Sequence, residues 1–251
     1  MRTSTLRNPI AIVTGGSRGI GRAVVERLHR DGYGILFTHS NSDADARVIE
    51  KALNTAHRPC RALRIDVADN DAAVQVFDAA ESLGAVIALI NNAGITGGIG
   101  ALETLDDETL QRVIAVNLLA PIRLCREAAR RWKSRSYRST IINISSIAAR
   151  TGSPNEYVAY AASKGALNTL TVGLARELAA SHIHVNAVSP GTIDTDIHAR
   201  AGMPERAWRV AERVPMRRPG QADEIANAVA WLVSDKASYV TGTILDVTGG
   251  L

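Results

Sequence analysis

The sequence predicts an α/β fold in one domain, a parallel sheet with helices on both faces, and three observations carry this. Short apolar runs alternate with amphipathic stretches from end to end, the pattern of repeated βαβ units. Runs such as IAIVT at 10–14 and VIALI at 86–90 are apolar throughout, which suits strands covered on both sides. No linker, low-complexity segment or repeat breaks the 251 residues, a length at which α/β folds run as one unit.

The elements follow in order. Pro9–Thr14 reads as a buried strand, and Ile20–Arg30 as a helix with Ile20, Val24 and Leu28 on one face. Tyr33–Thr38 is a strand, Asp43–Ala56 a helix with acids at its start, Arg61–Ile65 a strand, and Asp69–Leu83 a helix. Val86–Asn91 is a strand, followed by helices near Asp106–Val113 and Asn117–Lys133. Thr140–Ser145 is a strand, Tyr157–Ala180 a long helix, and Ile183–Val188 a strand. Asp223–Ser234 is a helix and Thr243–Val247 a last strand. The long irregular stretch Pro190–Gly220 holds four of the eight prolines, and loops of that length are commonly functional.

Composition narrows the function. No window of 18 apolar residues occurs, so no membrane span is expected, and the first seven residues lack an apolar core, which points to the cytoplasm. Cys60 and Cys125 support neither a disulfide framework nor a zinc site, and no other metal site is expected. The net charge of +4 comes from arginine rather than lysine, aromatics are 4%, and most arginines alternate with acids, so no nucleic-acid partner is expected. One basic run, from Arg123 through Arg126, Arg130, Arg131, Lys133 and Arg135 to Arg138, reads as a solvated helix end before it reads as a patch for an anionic partner.

Thr14-Gly15-Gly16-Ser17-Arg18-Gly19-Ile20-Gly21 joins the first strand to the first helix. Glycines there allow positive φ and close approach of a ligand, while the helix start offers free N–H groups and its positive dipole end to a phosphate. The context points to a dinucleotide, with G-x-x-x-G-x-G spacing. The second strand ends Thr38-His39-Ser40-Asn41 with no acid before Asp43, whereas an NAD site usually places a carboxylate there. Arg18, Ser40 and Asn41 suit a 2′-phosphate instead, which favours NADP(H) and leaves NAD(H) open. Asp66 and Val67, ending the third strand, are placed to bracket an adenine.

Tyr160 and Lys164 stand four apart in a helical stretch and so share a face. A phenol titrates near pH 10, and an adjacent ammonium brings it within reach of proton transfer to a carbonyl or alcohol oxygen. Tyr157 lacks such a partner, because position 161 is alanine.

Taken with Asn91-Asn92-Ala93-Gly94, Asn117, Asn143-Ile144-Ser145-Ser146 and Ser189-Pro190-Gly191, these motifs make the chain resemble the short-chain dehydrogenase/reductase family over essentially its whole length. The resemblance implies a doubly wound Rossmann fold with a seven-stranded parallel sheet, NAD(P)-dependent hydride transfer, and commonly a homotetramer, with a dimer as the alternative. Residues 1–7 then read as a tail, 8–251 as the domain, and about 195–218 as a small substrate lid. By the same resemblance Tyr160 is the general acid/base and Lys164 holds the nicotinamide ribose and depresses the tyrosine pKa. Ser146, preferred over Ser145, holds the substrate oxygen, and Asn117 places a water that links Lys164 to solvent. The cofactor set comprises Gly15, Ser17, Arg18, Gly19, Ile20, Gly21, Ser40, Asn41, Asp66 and Val67, then Asn92, Ala93, Gly94, Tyr160, Lys164, Pro190, Gly191, Ile193 and Thr195. The asparagines of Asn91–Gly94 brace neighbouring loops. Asn155 and Glu156 are candidate pocket residues, His198 a lid histidine, and Asp246–Leu251 resembles the family's tetramer-contact tail.

The substrate is a small carbonyl or alcohol. Two narrower readings remain from resemblance. One is a reductase of 3-oxoacyl groups on acyl carrier protein, served by the basic run but opposed by Ser181, where such reductases often carry a basic residue. The other is a glucose or sugar dehydrogenase. A non-catalytic NADP(H) sensor or scaffold is the reading from another class, and a complete Asn-Ser-Tyr-Lys set argues against it.

Overall fold

The structure is a computed structural model that describes residues 9–196, 202, 203 and 205–251. The expected tail at 1–7 and His198 lie outside the described residues. Seven strands form one sheet: β1 Pro9–Val13, β2 Gly34–His39, β3 Cys60–Arg64, β4 Ala85–Asn91, β5 Ser139–Ile144, β6 Ile183–Pro190 and β7 Ile244–Val247. All six pairings are parallel, in the order β3-β2-β1-β4-β5-β6-β7. The winding reverses at β1, between β2 and β4, and in open α/β sheets a ligand crevice forms beyond the strand ends at that point.

The period of two along β1 divides the core. Ile10 and Ile12 face Val76 and Phe77 of α3 (Ala72–Glu81) and Leu124 and Trp132 of α5 (Ala120–Trp132). Ala11 and Val13 face Val24 and Leu28 of α1 (Gly19–Arg30) and Ile225 and Val229 of α9 (Ala222–Val233). The remaining helices are α2 Asp43–Leu53, α4 Asp107–Ile114, α6 Ala148–Thr151, α7 Val158–Leu178 and α8 Arg206–Arg209. With few aromatics available, Phe77 and Trp132 anchor one layer edge to face at 5.9 Å, worth about 0.5–1.5 kcal/mol beyond the area they bury.

Three local departures from the sequence reading have physical causes. The two helices expected at 106–113 and 117–133 run together through a π turn at Ala115–Leu119. Pro121 has no N–H for the Asn117 carbonyl, and the ladder shifts to the wider spacing, with Ala120 N donating to Ala115 O. Helix α2 stops at Leu53, short of Ala56, where the Asn54 side chain accepts from Cys60 N at 3.0 Å and turns the chain into β3. A short helix, α6, absent from the sequence reading, starts where Ser146 Oγ accepts from Ala148 N at 3.1 Å.

The basic run is solvated only in part: Arg126, Arg130 and Lys133 are exposed, and the other four are tied into the fold. Arg131 pairs with Glu127, Asp78 and Glu81, and Arg135 with Glu81 and Val86 O. Arg138 is buried against Val233 O and Ser234 O, and Arg123 donates to Ala68 O. Its charge is largely spent tying α5 and the turn after it to α3, β4 and the end of α9. Burial pushes both thiols, Cys60 and Cys125, up to about 12, which makes them core residues and not nucleophiles.

Candidate active site

A cavity of about 550 Å³ opens beyond the carboxyl ends of β1, β2, β4, β5 and β6. Every residue of the expected cofactor set lines it, as do Ser145 and Ser146. Asn117 is not on its wall but one layer behind.

The glycine loop is shaped by close approach. Gly15 and Gly19 have φ of +64° and +50°, which side-chain-bearing residues rarely adopt. A Cβ on Gly21 would meet Gly15 O at 2.1 Å and Asn92 Nδ2 at 2.5 Å. Thr14 and Asn92 lock this loop to the end of β4. Thr14 Oγ1 accepts from Asn92 N and Ala93 N at 2.9 and 3.0 Å, while Asn92 Nδ2 donates to Thr14 O and Gly15 O. Helix α1 starts at Gly19 with no side-chain cap and no acid in its first turn, so its N–H groups are left for an anion. Gly21→Ala is expected to weaken dinucleotide binding by more than about tenfold, since the loop must open to admit the methyl. A fluorescence titration showing wild-type affinity would contradict this geometry.

At the adenosine end, Arg18 donates to Asn41 Oδ1 at 3.4 Å and lies 3.6 Å from Asp196 and 4.0 Å from Asp45. Asp43, the first acid after β2, turns to Arg64 at 3.7 Å. Asp66 accepts from Ala68 N at 3.0 Å and from Arg112 at 2.5 Å, bonds that outweigh burial and hold its carboxyl below the usual range.

At the other end, α7 places Tyr160 and Lys164 on one face. Lys164 is 3% exposed, and its Nζ donates to Ile144 O at 2.7 Å and stands 5.6 Å from the Tyr160 ring centre. Burial brings the ammonium down to about 8. Tyr160 moves the other way from the sequence expectation. Burial raises it, the Ser146 hydroxyl bonded to it pulls it partly back, and Tyr157 adds to the rise. Ser145 Oγ donates to the Lys164 carbonyl at 3.4 Å, a packing role, whereas Ser146 touches the phenol.

Asn117 is fully buried, and its amide is hydrogen-bonded at both ends. Its Oδ1 accepts from Ile95 N at 2.9 Å, and Nδ2 donates to Ile95 O at 2.8 Å and Ser163 Oγ at 3.2 Å. It straps the Ile95 segment to α7 and so positions the wall behind the cavity. Of the asparagines expected to brace loops, Asn92 does so, while Asn91 bonds Asn143 within the sheet at 2.8 Å. Glu156 lines the cavity; Asn155 is exposed in a left-handed turn and does not.

Sequence reasoning missed Thr38, whose Oγ1 accepts from Gly15 N at 3.2 Å, and Arg206 and Arg213 on the cavity wall. None belongs to a motif; topology alone brings them in. The stretch expected to form a lid is flanked by a bridge between Ile193 and Gly220, with Asp194 N donating to Gly220 O and Gly220 N to Thr192 O. The tail expected to contact a partner folds over its own chain: Gly191 N donates to Val247 O, Thr248 packs on Gly191, and Leu251 reaches the cavity.

A dinucleotide cradle ending at a tyrosine beside a buried lysine defines a nicotinamide-dependent oxidoreductase. The family model described as Enoyl-(Acyl carrier protein) reductase matches residues 15–251. The chain is 44% identical to Uncharacterized oxidoreductase YgfF of Escherichia coli K12, over 96% of this chain and 99% of that protein. It is 35% identical to the 3-oxoacyl-[acyl-carrier-protein] reductase FabG of Staphylococcus aureus, covering 96% and 97%. It superposes on the crystal structure of a blue fluorescent protein from a metagenomic library, in complex with NADPH, with a TM-score of 0.88, 37% identity and coverage of 96% and 97%. The chain belongs to the short-chain dehydrogenase/reductase family and is an NAD(P)-dependent dehydrogenase.

Proposed function

We propose that this enzyme interconverts a small carbonyl compound and its secondary alcohol with NADP(H) preferred over NAD(H), and that Tyr160 is its general acid/base. The observation that carries the reading is the continuous cavity from Arg18 and Asn41 to Tyr160 and Lys164. The residues fit the cofactor. Glycines stand where a Cβ would fill the cradle, and Lys164 keeps N–H groups beyond the one given to Ile144 O. When bound, the nicotinamide supplies or accepts the hydride at the carbonyl carbon.

The chain's own groups do the rest. Ser146 holds the substrate oxygen beside Tyr160. In reduction the phenol gives its proton to that oxygen as negative charge builds there, and Ser146 stabilises the charge by hydrogen bonding. Lys164 fixes the ribose and, as a buried cation, favours return of the phenol to its ionised form. Oxidation reverses these proton movements. Asn117 keeps the Ile95 segment and Ser163 in register beneath the site.

Cofactor preference rests on Arg18, Ser40 and Asn41 with no carboxylate closing β2. Arg18→Ala is expected to weaken NADPH binding by about 10- to 100-fold, the span of a bond to a charged group, and NADH binding far less. Equal losses for both in a fluorescence titration would remove Arg18 from the 2′-phosphate site. The carrier-protein reading has a named relative behind it, yet the basic run that would meet an acidic carrier is largely committed within the fold. We place the enzyme in the cytoplasm as a homotetramer; the half-exposed Leu119 and Ile122 beside the π turn are apolar surface that a second copy would cover. Among the described residues no helix is long and apolar enough to cross a membrane.

A further inference from the structure

The turn that leads into α7 is strained. Gly152, Ser153 and Asn155, between α6 and α7, have φ of +73°, +45° and +58°. Glycine takes that conformation freely, but Ser153 and Asn155 carry side chains and hold it at a cost. This turn fixes where α7 begins, and so where Tyr160 stands near the helix start.

A clamp from a distant part of the chain holds it. Glu156 closes the turn: its N–H donates to Ser153 O at 3.2 Å, and its carbonyl accepts from Gly100 N at 3.1 Å. Its carboxylate accepts from Ser153 Oγ at 3.4 Å and pairs with Arg206 of α8, 50 residues further on. The Arg206 side chain is only 14% exposed, so its charge depends on that carboxylate. The guanidinium also lies over the Tyr157 ring, 5.2 Å from its centre. Tyr157 is buried and packs edge to face on Tyr160, with centres 6.3 Å apart and planes at 69°. Cation–π and edge-to-face contacts are both directional, so a ring held in one is oriented for the other. The contacts therefore run from Arg206 through Tyr157 to Tyr160, which bonds Ser146.

We propose that Arg206 is a positioning residue for the acid/base: by clamping Glu156 and lying over Tyr157 it holds the strained turn and the Tyr157 ring so that the Tyr160 phenol stays aimed at Ser146 and the reacting oxygen. This rests on the reading of Tyr160 as the acid/base. Arg206 itself moves no proton, and Tyr157 contributes its ring alone. Without the clamp the turn relaxes towards ordinary backbone, and the phenol samples directions that do not suit proton transfer.

Arg206→Met keeps an apolar stem and removes the charge. With NADPH and cyclohexanone or diacetyl as probe substrates, kcat is expected to fall by about 10- to 100-fold, the scale of misplacing a reacting group by an ångström or less. KM and NADPH affinity are expected to change little. The solvent deuterium isotope effect on kcat is expected to rise, because proton transfer is the step made slower. Arg206→Lys, which keeps the charge, is expected to recover part of the loss. Glu156→Gln breaks the pair from the other side, is expected to give the same signature, and serves where Arg206→Met does not fold. In a Tyr160→Phe background Arg206→Met is expected to cost nothing further, since the group it positions is gone. A second measurement needs no turnover: in NMR of tyrosine labelled at Cζ, with the Tyr160 signal assigned by its loss in Tyr160→Phe, Arg206→Met is expected to shift or broaden that signal. An unchanged kcat, a loss confined to KM, an unchanged isotope effect, an undiminished loss in the Tyr160→Phe background or an unmoved Tyr160 signal would each overturn the proposal. Wild-type turnover in Tyr160→Phe alone is a different result and would overturn the acid/base assignment itself.

Discussion

Tyr160→Phe is expected to lower turnover by about 10²- to 10⁴-fold, the usual contribution of a placed acid or base, with little loss of NADPH affinity. The phenol is half-buried on the first turns of α7 and bonds Ser146, so the ring can stay in place when its oxygen is removed. Absorbance kinetics paired with a NADPH titration separates the two effects. A variant that binds NADPH and turns over at the wild-type rate would show that the proton comes from elsewhere.

Lys164→Met is the second large effect. It removes the proposed ribose donor, which is the only lysine among the described residues of the cavity wall. Turnover is expected to fall by about 10²-fold or more, the scale of losing one preorganised electrostatic contact, together with weaker NADPH binding. The ligand-free protein offers an independent check. Lys164 is held at about 8 against an ordinary 10.5, so its charged form is disfavoured in the native state. Below pH 8 both folded and unfolded chains carry the proton, and burial of the charge costs stability. Between about 8 and 10.5 the native state has lost the proton while the unfolded state still binds it, so this group's contribution to stability rises with pH. The methionine variant has no such proton. Denaturant melts are therefore expected to show wild type gaining on Lys164→Met as pH rises through that window. The buried thiols pull both proteins down alike at high pH and cancel in the difference. A constant difference between the two proteins across the window would mean that Lys164 is not desolvated.

Most strands were legible because a parallel sheet covered on both sides needs unbroken apolar runs, and runs such as IAIVT have few other uses. The cradle was legible for a similar reason: steric demands as tight as those at Gly21 leave only glycine, so the spacing is written directly in the chain. What escaped the sequence depends on partners distant in the chain. The π turn at Ala115–Leu119 is set by Pro121 acting on Asn117, but a proline at 121 reads equally well as an ordinary helix start. The fate of the basic run was hidden because Arg131 and Arg135 find Glu81 some fifty residues away. The direction of the Tyr160 shift was misread for a related reason. A four-residue spacing gives a shared face but does not say how far the fold withdraws the phenol from water, and that burial is what raises it. Tyr157 was passed over for want of a lysine partner; its interest comes from burial and from Arg206 of α8, which no local pattern reveals.

The central claim is that this cavity moves a hydride between NADP(H) and a substrate carbonyl. Its most direct test is to incubate the enzyme with NADPH deuterated at the transferable C4 position and a panel of oxo esters, diketones and ketones, then read the products by mass spectrometry. The account predicts an alcohol carrying one deuterium at the former carbonyl carbon, formed by wild type and not by Tyr160→Phe. Tight NADPH binding with no deuterium in any product of the panel would contradict it.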